Sequence, residues 1–101
     1  MNNIYATKVP AKGETFNDLL SHKHVKIERI VSSDEIPDIE YIQEHDEWVL
    51  LLKGRTTLEV QGDLHELKEG DYFFIPAKQP HKVLKAESGT IWLAVHILRR
   101  E

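Results

Sequence analysis

Cysteine is absent from the 101 residues, which removes disulfides, thiolate metal ligands and cysteine nucleophiles together. No apolar run reaches the about 20 residues that a membrane-spanning helix needs, so no membrane contact is expected. Basic residues are the minority, 13 against 17 aspartates and glutamates, for a net charge of −4. No basic block exists beyond Arg99-Arg100, and nucleic acid is therefore excluded as an expected partner. The start, Met1-Asn2-Asn3-Ile4-Tyr5, lacks the charged-then-apolar layout of a signal peptide, which makes the cytoplasm the expected location. Also missing are internal repeats, low-complexity segments, a nucleophile elbow, a P-loop and a dinucleotide fingerprint.

What remains is an ordinary globular composition, 41% hydrophobic and 30% charged, in a chain long enough for one domain with one modest core. Its organising stretch runs from Asp46 through Glu47, Trp48, Val49, Leu50, Leu51 and Leu52 to Lys53-Gly54. An apolar run this short, bounded by charge and glycine, reads as a buried strand. Alternation places Glu47 with Val49 and Leu51 on one face and Trp48, Leu50 and Leu52 on the other. Both faces are apolar, so both call for cover. Glu47 then stands at the mouth of a hydrophobic interior and needs a partner. Asp46 points the opposite way, which argues against a glycosidase-like carboxylate pair.

Along the chain, Thr15 to Leu20 reads as a short helix capped by Thr15, docked through Phe16, Leu19 and Leu20. Strands are expected over 25–31, 39–44, 46–52, 56–60, 64–67, 72–75, 81–85 and 91–98. Gln61-Gly62-Asp63, Glu69-Gly70-Asp71 and Ser88-Gly89 supply turns. About eight short strands punctuated this way predict an all-β antiparallel sandwich or barrel. Residues 1–101 read as one domain, with an arm and short helix over 1–24 and the barrel over 25–98.

Two spaced motifs sharpen this. Glu47, six intervening residues and Gly54 are followed by Gly70, five residues, Pro76, four residues and His81. The pattern resembles the two motifs of the cupin superfamily, which implies a jelly-roll β-barrel. Tyr41-Ile42-Gln43, Asp46 to Leu51, and Trp92-Leu93-Ala94-Val95-His96 resemble small single-domain bacterial cupins. Cupins carry two histidines before the motif glutamate; positions 41 and 43 here hold Tyr41 and Gln43. Lys78 replaces a motif glycine, and Lys85 a trailing asparagine. Of the usual four ligands, Glu47 and His81 survive.

The resemblance implies a divalent metal, iron, manganese, nickel or zinc, held at the barrel mouth by Gln43, Glu47 and His81. Tyr41 and His96 would line the ligand site, and His45 shares the inward parity. A neutral amide is a poorer donor to such metals than imidazole. The competing reading is a Glu47–His81 ion pair completed by Gln43 and Tyr41, a polar cluster that binds a small ligand without metal. His96, in an apolar strand, also suits a core role. His22-Lys23-His24 lies too far upstream of Glu47 to belong to the motif and reads as a solvated loop. His65 reads as exposed, and Trp48 and Trp92 as core or interface residues. Three functions stay open: a metal-dependent dioxygenase, isomerase or lyase; a small-ligand-binding module; and a structural dimer. Small cupins often pair, and with a two-sided central strand the expected assembly is a homodimer.

Overall fold

Among the described residues the β-branched and aromatic runs form eight strands, and every pairing between them is antiparallel. They are β1 (Glu14–His22), β2 (Val25–Ser32), β3 (Asp46–Lys53), β4 (Arg55–Val60), β5 (Asp63–Lys68), β6 (Tyr72–Ile75), β7 (His81–Ala86) and β8 (Thr90–Ile97). The computed structural model describes residues 2–99; Met1, Arg100 and Glu101 lie outside the described residues. One sheet has the order β1-β2-β8-β3-β6 and the other β5-β4-β7. The two face each other as a jelly roll. Between them lies a core of Val49, Leu51, Leu58, Val60, Leu67, Ile75, Trp92 and Ala94.

On β3 the expected alternation holds. Glu47, Val49 and Leu51 are buried inward, while Trp48, Leu50 and Leu52 stay half-buried on the outer face. The chain changes sheets at Gly54, between β3 and β4, which has φ +89. A Cβ there would lie 2.4 Å from Thr90 Oγ1 and 2.9 Å from Thr90 Cα, so the corner demands glycine for space as well as for conformation. Gln61 and Gly62 both have positive φ, the conformation of a two-residue turn that matches strand twist. Lys78, which stands where the cupin motif has glycine, adopts φ +70. Its backbone N–H donates to the Gln43 carbonyl at 2.6 Å, and that bond holds the left-handed turn in place.

Two expectations need correction. Thr15 to Leu20 is not helical; it lies in β1, and no helix occurs among the described residues. A one- or two-turn helix is marginal alone. The β2 edge offers this segment a continuous ladder instead, from Glu14↔Ser32 to His22↔Val25, with a bulge between Asp18 and Leu20. The stretch over 39–44 is not a strand. Only Tyr41 forms a bridge there, to His81, while Ile39 and Ile42 face solvent. Alternation in that segment had no neighbouring strand to satisfy it.

Gly54→Ala is expected to cost about 2–4 kcal/mol, combining the left-handed backbone penalty with overpacking against Thr90. Gly62→Ala, with φ +84 and nothing within 4 Å of the added Cβ, should cost only about 1–2 kcal/mol. Urea unfolding midpoints compare the two. Equal losses would mean that the Thr90 contact imposes no constraint.

Candidate functional site

Antiparallel register brings the polar residues together. Glu47 on β3 lies directly opposite His96 on β8, and Glu28 on β2 lies opposite Ala94, two residues along from His96. His81 opens β7 on the facing sheet. It exchanges backbone hydrogen bonds with Tyr41: Tyr41 N–H donates to the His81 carbonyl at 2.8 Å, and His81 N–H donates back at 3.0 Å. The two rings stack with centroids 6.0 Å apart. Gln43 follows two residues later and turns inward.

Glu47 is the hub, 5% exposed. Gln43 Nε2 donates to Glu47 Oε1 at 2.9 Å. His81 Nε2 and His96 Nδ1 each lie 3.9 Å from that same oxygen. His81 Nδ1 donates to the Gln79 carbonyl at 3.0 Å, which fixes the ring so that Nε2 faces Glu47. His96 is engaged at both nitrogens: Nε2 with Glu28 Oε1 at 3.0 Å and Nδ1 with His45 Nε2 at 2.9 Å. Asp46, on the opposite face, accepts the Ala77 N–H at 2.8 Å and takes no part in the cluster.

These contacts set the charges. The hydrogen bond from His96, with help from the nearby charge of His96 and from Lys26, holds the Glu28 carboxyl below the usual carboxylate range against the opposing effect of burial. Burial, then the charge of His96, holds the His45 imidazole below its ordinary value. Glu14 moves the other way: burial raises its carboxyl although Ser32 Oγ donates to it. Burial also raises the Tyr41 phenol.

Glu47, His81, Gln43, Tyr41 and His96 all line one cavity of about 90 Å³. Val49, Leu58, Ile75, Val83 and Trp92 form its apolar walls. The structure therefore brings together the five candidate site residues. It adds Glu14, Glu28 and the partner role of His45. Glu28 had a faint signal, a charge at an inward position of a mostly β-branched strand. Glu14 had none, because its neighbours read as loop and helix. His65 is half-buried, its ring 4.6 Å from that of Phe73.

Whether a divalent metal fits depends on the donors left over. His96 has no free ring nitrogen. Gln43 presents its NH₂ to Glu47, since a carboxylate oxygen only accepts, and so turns its carbonyl away. Glu47 and His81 remain, short of the three protein ligands that catalytic zinc sites keep. No group of three or more His, Asp or Glu side chains is placed to hold a metal among the described residues. As placed, Gln43, Glu47 and His81 do not make a three-donor metal site.

Two facing antiparallel sheets with convergent polar groups at one end of an apolar interior define a jelly-roll β-barrel. The family profile for the cupin domain matches residues 30–96, and the chain belongs to the cupin family, whose members often bind metals. The crystal structure of a candidate mannose-6-phosphate isomerase from Ralstonia eutropha JMP134 is similar at a TM-score of 0.88 and 35% identity, covering 98% of both chains. An uncharacterised protein of Aquifex aeolicus (strain VF5) is 34% identical over 65 residues, 64% of this chain and 52% of its own length. The match thus spans about half of that relative. KdgF from Halomonas sp. shares the fold at a TM-score of 0.79 and 18% identity, over 88% of this chain and 82% of its own. No helix among the described residues is long and apolar enough to cross a membrane.

Glu28 binds its proton more weakly when folded than when unfolded, so the stability it contributes is present above the ordinary value of 4.5 and is lost as pH falls below it. In Glu28→Gln that contribution is missing at every pH. The gap in Tm between wild type and Glu28→Gln, followed by circular dichroism, should therefore close on acidification from pH 7 to below 4. A gap that stays constant would show that the Glu28–His96 contact carries no charge-dependent stability.

Proposed function

We propose that this cupin binds a small, uncharged, hydrogen-bonding organic molecule inside its barrel without a resident metal. The observation that carries the reading is the convergence on Glu47 Oε1, with one direct donor at 2.9 Å and two imidazole nitrogens held off at 3.9 Å. Those longer gaps exceed hydrogen-bond length. They leave a ligand hydroxyl or amide room to donate to the carboxylate while meeting an imidazole. The apolar walls opposite supply the burial that small-molecule sites use for affinity.

The isomerase description of the Ralstonia relative supplies a sugar phosphate as a competing ligand, and the lining disfavours it. Glu14, Glu28 and Glu47 line the cavity with no lysine or arginine among its lining residues, whereas phosphate recognition relies on such cations.

The outer sheet face supports a proposal about assembly. Phe74, Trp48, Val95, Ile27 and Leu20 are successive cross-strand partners from β6 to β1, forming an apolar row that spans the sheet. Tyr72, Leu50 and Leu93 form part of the next row. Beyond them the amino-terminal arm covers the sheet, held by Arg29 Nη1 donating to the Ile4 and Ala6 carbonyls at 3.2 and 3.4 Å. We infer that a second copy packs on the uncovered rows. The row is aromatic at its β6 end and aliphatic at its β1 end, so a twofold axis near β8 lays large side chains over small ones.

Three measurements test these readings. In ¹H–¹⁵N titrations ethylene glycol should shift the Glu47, His81 and His96 amides while inorganic phosphate does not. Glu47→Gln should weaken that binding at least about tenfold, because a charged acceptor is lost. Purified protein should take up no stoichiometric nickel, zinc or manganese at micromolar concentration, whereas Gln43→His, by adding an imidazole donor, should gain uptake. Stoichiometric metal in the wild type would overturn the metal-free reading. Light scattering should give twice the chain mass of 11.7 kDa, and Val95→Glu should give a monomer. A monomeric wild type would remove the pairing.

A further inference from the structure

Trp92 is 3% exposed and belongs to the apolar core cluster, yet it also lines the cavity that holds Glu47 and His81. Its indole nitrogen is buried and has no hydrogen-bond partner. An orphaned buried donor costs stability comparable to a lost hydrogen bond, and native proteins rarely leave one without a reason. On β8, Trp92 stands four residues from His96 on the same inward face, with Ala94 between them. Trp92 pairs with Leu51 and His96 with Glu47, so the indole lies deeper in the barrel than the polar cluster. Its neighbours in the core are Val49, Leu51, Leu58 and Ile75.

We propose that the Trp92 indole N–H is the inner anchor of the bound ligand, donating to an acceptor atom that the ligand carries into the barrel. The proposal rests on the reading of the barrel interior as a ligand pocket and specifies the class of molecule. The outer end of the ligand carries a donor for the Glu47 carboxylate, a hydroxyl or an amide N–H. Its inner end carries an acceptor for Trp92. That acceptor is uncharged, because Glu14, Glu28 and Glu47 line the same cavity without a lysine or arginine and repel a carboxylate or phosphate. A compact hydroxycarbonyl compound or a primary amide meets all three requirements. An alcohol with a purely hydrocarbon tail meets only the first and the last.

The test uses the full-length protein and three probes of similar size: hydroxyacetone, acetamide and 1-propanol. Trp48 and Trp92 are the two tryptophans, so a Trp48→Phe variant assigns the Trp92 indole resonance in ¹H–¹⁵N spectra. Hydroxyacetone and acetamide should move the Trp92 indole proton downfield while shifting the Glu47 and His81 amides. 1-Propanol should shift those amides without the downfield indole change. Trp92→Phe should weaken hydroxyacetone about two- to tenfold and leave 1-propanol within about twofold, the effect of one neutral hydrogen bond. If that variant does not fold, the indole shift in the wild type decides alone. Movement of the Glu47 and His81 amides with an unmoved indole overturns the role of Trp92 and leaves the pocket standing. No movement anywhere with any probe overturns the pocket and the anchor together. An indole proton already far downfield and slow to exchange without any probe would show a structural acceptor, and that result also overturns the proposal.

Discussion

Burial of the Glu47 carboxylate is the constraint from which the interior follows. An ionised carboxylate in an apolar barrel is costly unless hydrogen bonds and opposite charge surround it. The two sheets meet that demand from four directions. Gln43 donates from the segment before β3, His81 approaches from the facing sheet, His96 lies across the ladder on β8, and Glu28 holds His96 in place from β2. Removing any one of these residues changes what the others can do, because His96 and Gln43 share the single oxygen they surround. The cavity lies between this polar knot and the apolar walls of Val49, Leu58 and Val83.

Within the family pattern, exchanging two histidines for Tyr41 and Gln43 alters the chemistry of the mouth. Imidazole offers a lone pair to a metal; the Gln43 amide instead gives a proton to Glu47, and the Tyr41 ring stacks on His81. Metal donors have become hydrogen-bond partners. His45 and Glu28 deepen the change by engaging both nitrogens of His96. The proposed preference for neutral, hydrogen-bonding molecules rests on this exchange, which leaves the strand order unchanged.

The two faces of β3 serve different ends. Inward, Val49 and Leu51 fill the core, and Glu47 stands at its edge. Outward, Trp48 and Leu50 join a row that crosses all five strands of the larger sheet. A face of that composition is poorly suited to water. The amino-terminal arm reaches only part of it, through the hold of Arg29 on Ile4 and Ala6. The same alternation of side chains therefore lines a pocket on one side of the sheet and leaves an apolar row on the other.

Much of this was written in the order of residues. The period-two pattern of β3, the turns at Gln61-Gly62 and Ser88-Gly89, and the spacing of Glu47, Gly54, Gly70, Pro76 and His81 determined the barrel and its inward carboxylate–imidazole pair. These are local signals: alternation and turn chemistry act within a few residues, so they survive in a linear reading. The rest was decided by pairing across the chain. Thr15 to Leu20 became part of β1 because the β2 edge offered it a ladder, a partner that a short helix could not match. The stretch over 39–44 stayed irregular because no strand lay beside it beyond the Tyr41–His81 bridge. Glu28 joined the site only because β2 and β8 pair in the register that sets it two residues from His96. Trp92 became an unsatisfied donor only once the core closed around it. Burial and cross-strand register are properties of the folded chain, and they decide which polar atoms find a partner and which are left to seek one.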